Sequence, residues 1–347
     1  MGSCARWWVC GSTVALVVVA AALPVLGKPK QTDASKPSAG LVWPLPPDPP
    51  RIRYLQSLSG IADFKKPNRW KRALIGPDTE RGISLRKPYG VATGALGRVY
   101  VSDTGLGAVV VFDAAARSVR TIGADGRVQL QTPIGLAFDE AGRLFVADAA
   151  LHQVFCFSPD GEVLLALGRD QGMQNPAGIA IDRQRHRLYV PDSHRHQILV
   201  YSTDGTFVGA WGKRGSAAGE FNFPTNIAVD GTGKIYVVDT GNFRVQTLDA
   251  DGKPLASFGL PGDEMGSFHR PKGIALDSFA HVYVVDAAFN NFQIFDAAGQ
   301  LLLDIGTAGD APGTFWLPAG IYVDATNRIY VVDQLNRRVQ VFQYIDQ

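Results

Sequence analysis

Apolar residues in this chain come in short runs, each closed by a turn residue. Nowhere in residues 88–344 do they fall at the three- and four-residue spacing of a helix face. The stretch 226–259 shows the pattern clearly. NIAVD, IYVVD, VQTLD and PLASFG are rich in branched residues, with GTGK between the first two and ADGK between the last two. Runs of about five such residues between Gly- and Asp-containing turns predict four short antiparallel strands.

The pattern recurs. P-x-x-I-A-x-D followed by I-Y-V-x-D returns with variations, its prolines at Pro88, Pro133, Pro176, Pro224, Pro271 and Pro318, spaced by 45, 43, 48, 47 and 47 residues. Asp103, Asp148, Asp192, Asp239, Asp286 and Asp333 close the second run of each unit. Six residues later Val109, Val154, Ile198, Val245, Phe292 or Val339 opens a third. G-x2-G-x3-G-x-F-x2-P links the later units in strict register from Gly212, Gly259 and Gly306. Four strands about every 45 residues predict an all-β, six-bladed propeller. After Asp333 the last unit supplies VQVFQY (339–344) and is one run short of four. RIRYLQSLSG (51–60) resembles GKPLASFG (252–259) and fits the vacant place. The ring is expected to close by pairing of this N-terminal strand with the last blade, which leaves no open edge at the seam. Residues 51–347 then form one domain.

Alternation along the strands assigns the loops to two rims. Pro-x-Gly, the turns after the second aspartate and the G-x2-G loops share a top rim, and the DG and GK turns share the bottom. These repeats resemble NHL repeats over residues 51–347, and the lead-in WPLPPDPPRIRY resembles that of exported bacterial members of the family. The resemblance implies a face that binds proteins, peptides or, in some members, RNA.

The N-terminus points to export. Arg6 precedes the apolar run VALVVVAAAL (14–23), then small residues and the polar KPKQTDASKPS, the layout of a secretory signal. Residues 1–27 are therefore expected to be a signal peptide, with an uncleaved membrane anchor as the alternative. Residues 28–50, containing GLVWPLPPDPP, read as a proline-rich linker. The expected location is the periplasm, cell envelope or exterior. Without residues 1–27 only Cys156 remains, so no internal disulfide can form, and VFCF reads as a small buried hydrophobe. The net charge of +2 gives no overall pull towards nucleic acid. Arg51–Lys87 holds ten Lys or Arg against three acids, but export and the lack of alternating aromatics argue against an RNA partner.

Candidate chemistry lies on the top rim. The fourth residue after each blade aspartate is Gly107, His152, His196, Phe243, Asn290 or Arg337, and this spread reads as a variable surface slot. His186, His194 and His196 are close in sequence, but the strand LYVPD puts His186 on the opposite rim, roughly 16 Å away. VADAALHQVFCF (146–157) resembles a blade of peptidyl-hydroxyglycine amidating lyase, a family that holds zinc with histidines directly after the blade proline. Here those tunnel-mouth positions are Tyr89, Ile134, Ala177, Thr225, Lys272 and Ala319, with no histidine. They also lack the carboxylates that the calcium site of a lactonase-like propeller requires. The repeated aspartates read as acceptors for loop amides. No cofactor, metal or catalytic residue is therefore assigned. The expectation is a monomeric propeller scaffold binding a protein or peptide partner through Trp316, Arg214, Arg270, His152, His196, Tyr89 and Lys272. The alternative is an envelope lyase or lactonase-type hydrolase with its site in the central tunnel.

Overall fold

The computed structural model describes residues 40–45, 47–64 and 82–345, all within the compact unit Ala34–Gln347. The segment read as a signal or anchor (residues 1–27) lies outside the described residues, as do linker residues 28–39 and 46. Six antiparallel sheets are arranged as the blades of a propeller, five of them built from four consecutive strands. The fourth blade shows the plan: Pro224–Val229, Ile235–Asp239, Arg244–Leu248 and Pro254–Phe258, paired in that order from the tunnel outwards. Second and third strands are buried almost throughout, because each is sandwiched between neighbouring blades. Fourth strands are partly exposed.

The sixth blade joins the two ends of the chain. Ile52–Leu58 pairs antiparallel with Arg338–Tyr344, with Tyr54 opposite Phe342 and Leu58 opposite Val339. Residues 51 and 59–60 of the expected strand fall just outside it. A short strand, Val42–Trp43, adds a fifth position outside Ile52–Leu58. Trp43 meets Phe342 edge-on at 5.7 Å between ring centroids, so this part of the proline-rich segment docks on the sheet.

The G-x2-G loops owe their glycines to backbone and space together. Gly259 has φ of +90°, and a Cβ there would sit 2.4 Å from the ring of Phe268. Phe221, Phe268 and Phe315, the phenylalanines of this motif, are buried plugs between successive blades. Cys156 is also fully buried, and burial pushes its thiol up to about 11, leaving an inert core residue.

Candidate functional site at the top rim and tunnel mouth

Each blade aspartate is fully buried and binds the loops that form the top rim. Asp286 accepts the amides of His269 and Arg270 from the loop before its own inner strand, and those of Ala288 and Phe289 from the turn that follows. Asp103 does the same for Arg86, Lys87, Gly105 and Leu106, and Asp148 for Gln131, Thr132, Ala150 and Leu151. In the fourth and sixth blades some of these amides give way to side chains. Arg338 donates to Asp333 at 2.7 Å and to the carbonyls of Ala311 and Thr314, and Arg244 treats Asp239 and its loop likewise. The carboxylates are thus the fixed frame on which the rim side chains stand, in agreement with the structural role read from sequence.

The slot four residues after the aspartate is not a free surface position. All six of its residues have positive φ, from 55° at His152 and Arg337 to 62° at Gly107. In three blades its side chain reaches the next blade. Asn290 Oδ1 accepts the Leu317 amide at 2.8 Å, and His196 Nδ1 accepts the Phe223 amide at 3.1 Å. His152 Nδ1 donates to the Gln174 carbonyl. His196 is buried, with its ring 4.7 Å from that of Phe223, whereas His152 remains exposed. The sequence expectation of a variable rim slot is therefore corrected. The position is a left-handed turn, where Gly, Asn and His are favoured, and it serves as a clasp between blades.

Burial, followed by the charge of Arg214, lowers the His196 pKa below its ordinary 6.5. The unfolded chain therefore binds this proton more readily than the folded one, so stability should fall as the pH drops below about 6.5. Asn replaces the acceptor, as Asn290 shows, and cannot be protonated. His196→Asn should stay within about 1 kcal/mol of the parent at neutral pH and lose part of the acid slope. His196→Leu strands the Phe223 amide and should cost about 1–3 kcal/mol. Chemical denaturation between pH 5 and 8 separates the variants, and identical slopes for parent and Asn variant would contradict this role.

Trp316 stands out from the rim. Its amide donates to Asp333 at 2.8 Å and its carbonyl accepts from Leu335, while its side chain is 58% exposed and Leu335 is 51% exposed. Arg214 and Arg270 are exposed too, and Lys213 is held by Glu220 at 3.2 Å. His194 is exposed near Phe223, while His186 sits by Glu140 on the far rim.

The inner strands line a tunnel. The second residue after the blade proline is Gly90, Gly135, Gly178, Gly273 or Gly320, with Asn226 in the fourth blade. Neighbouring backbones close in at this level: a Cβ on Gly90 would lie 2.2 Å from the Ile134 carbonyl. From here to the bottom turns runs a cavity of about 540 Å³, walled by Val91, Leu136, Ile179, Ile227, Ile274, Ile321 and their neighbours, with Asp182, Arg183 and Asp230 at its lower end. Among the described residues no three His, Cys, Asp or Glu side chains come together in a metal-binding group.

Of the residues singled out from sequence, Tyr89, Arg270 and Lys272 converge at the upper mouth. The Lys272 ammonium lies 5.2 Å from the centre of the Tyr89 ring. Arg214, His152 and His196 belong to blades on other parts of the ring. Sequence reasoning missed Lys87, which precedes Pro88 as Arg270 precedes Pro271. It also missed Leu335 and the glutamines Gln246, Gln293 and Gln340. Each glutamine donates to a G-x2-G loop carbonyl and accepts a loop amide, and their recurring third-strand position was the available signal.

A family described as "6-bladed beta-propeller" matches residues 179–273. The fold is a six-bladed β-propeller. No curated protein matches the sequence. Similar solved structures include virginiamycin B lyase from Staphylococcus aureus, 11% identical over 85% of this chain and 100% of that one, with a TM-score of 0.55. A gluconolactonase from Xanthomonas campestris is 16% identical over 86% and 96%, at 0.59. An auxiliary nutrient binding protein from Bacteroides ovatus is 14% identical over 74% and 69%, at 0.58. At these identities the likeness concerns the fold alone, which carries catalysts and binders alike.

Proposed function

We infer that this chain is an exported propeller of the NHL-repeat kind whose top face binds a protein or peptide partner without catalysing a reaction. One observation carries the inference: an indole 58% exposed on a rim loop whose backbone is fixed by a buried carboxylate. The blade does not need that ring for packing, and tryptophan and arginine are the residues most often found as interface anchors. Arg214 and Arg270 stand on the same rim, and the opposite rim is made mostly of tight DG and GK turns. The export half of the inference is supported by the layout of residues 1–27.

A lyase or hydrolase in the tunnel is the second reading, favoured by the cavity and by the activities named for two similar folds. Against it, the described tunnel wall is apolar along most of its length, and of the charged residues at its lower end Asp182 is already held by Arg185 at 3.0 Å.

The partner is to be captured by crosslinking in the native envelope fraction and then titrated with purified variants. Trp316→Ala should cost about 2 kcal/mol or more in binding while the melting temperature barely moves. Arg214→Glu and Arg270→Glu should chiefly slow association. Binding untouched by all three changes would remove the site from the top rim, and a large stability loss in Trp316→Ala would make the indole part of the core.

A further inference from the structure

Three cations meet at the upper mouth of the tunnel, and the nearest blade carboxylates, Asp103 and Asp286, are taken up by the backbone amides of Lys87 and Arg270 and their loops rather than by the cationic groups. Lys87 and Tyr89 come from the first blade, Arg270 and Lys272 from the fifth. The sixth blade, lying between, presents the buried methyl of Ala319, and Gln334 donates to the Pro88 carbonyl at 3.1 Å. That small residue lets Lys272 reach across to the face of Tyr89. Among the described residues none of the three cationic side chains has a carboxylate partner. Burial, then Arg270 and Lys87, lower the Lys272 pKa to about 8, and burial raises that of the Tyr89 phenol. The remaining blades offer Ile134, Ala177 and Thr225 at the same level, none of them charged. Lys272 is partly buried while Lys87 and Arg270 stand exposed beside it; like charges held this close repel, and an anion placed among them removes that penalty.

We propose that this mouth binds a single carboxylate entering from the top, gripped by Arg270 and Lys272 and drawn in by Lys87. A monoanion suits the place better than a phosphate dianion, because the tunnel beneath is apolar and a second charge would cost more to strip of water. Building on the top-face function, the exposed Trp316 and Leu335 of the intervening blade supply an apolar flank. The carboxylate comes either from a peptide C-terminus with a hydrophobic last residue or from a small organic acid.

The test uses N-acetyl-leucyl-phenylalanine as free acid and as its amide, with acetate and inorganic phosphate as competitors, titrated into the whole protein. The acid should bind about tenfold more tightly than the amide, a difference of ~1.4 kcal/mol. Lys272→Met and Arg270→Gln should each abolish most of that preference. Neither should lower the melting temperature, since both relieve repulsion. The preference should fade as the pH rises past about 8 and Lys272 loses its charge. Competition by acetate alone points to a small-acid source, and binding of the dipeptide acid without it points to a peptide terminus. Equal binding of acid and amide, a preference that survives both substitutions, or phosphate binding more tightly than acetate would each overturn the proposal. If the dipeptide preference holds while the captured partner ignores Trp316→Ala, the top-face function fails and the carboxylate site stands. The reverse result removes the carboxylate site alone.

Discussion

A chain that begins at Phe64 should lose its cooperative unfolding transition. The shortened protein lacks Ile52–Leu58, the strand that completes the sixth blade, and Val42–Trp43 outside it. Ile52, Tyr54 and Leu58 are all buried, and at about 1.5–3 kcal/mol for each large apolar side chain their loss removes roughly 5–9 kcal/mol. That is of the order of the whole stability of an ordinary domain, about 5–15 kcal/mol. Phe342, which packs edge-on against both Tyr54 and Trp43, would be uncovered, and Arg338–Tyr344 would become an open edge prone to pairing with other chains. Thermal melts followed by circular dichroism, with light scattering alongside, should show a broad transition and association. A single sharp transition at the parent temperature would mean that the ring does not depend on its seam.

Asp286→Ala should cost about 3 kcal/mol or more. The substitution strands four backbone amides, those of His269, Arg270, Ala288 and Phe289, at a fully buried position, and each buried donor without a partner costs about 1–3 kcal/mol unless water reaches it. Asp286→Asn keeps one acceptor oxygen in place and should lose less. Because the same carboxylate fixes Arg270, the alanine variant should also weaken any binding at the tunnel mouth before it unfolds the protein. Urea denaturation orders the variants, and an alanine variant within about 0.5 kcal/mol of the parent would place the frame of the rim elsewhere.

The propeller could be read from the sequence because two independent periods agree in each unit: the alternation that marks a strand and the spacing of Pro88, Pro133 and their successors. The closing strand was legible for the same reason, since Ile52, Tyr54 and Leu58 are the apolar positions of an outer strand and stand opposite Tyr344, Phe342 and Val339. The slot of His152 and His196 was not. Its residue types look unconstrained, but what they share is a backbone angle and, in three blades, a hydrogen bond to the next blade. The tunnel mouth shows a different limit. Lys87 and Lys272 meet only because the sixth blade lies between the first and the fifth, a closeness that nothing in their local sequence displays. Tryptophan is compatible with core and surface alike, so the outward turn of Trp316 needed coordinates.

The most direct test of top-face recognition places a photo-crosslinking amino acid at Trp316 and, in a separate variant, at Thr232 in a bottom turn. Both proteins are then irradiated in intact cells of the native host. The expected result is a discrete adduct from position 316, reduced by Arg270→Glu, and none from position 232. An adduct from position 232 with nothing captured at 316 would contradict recognition through the top face.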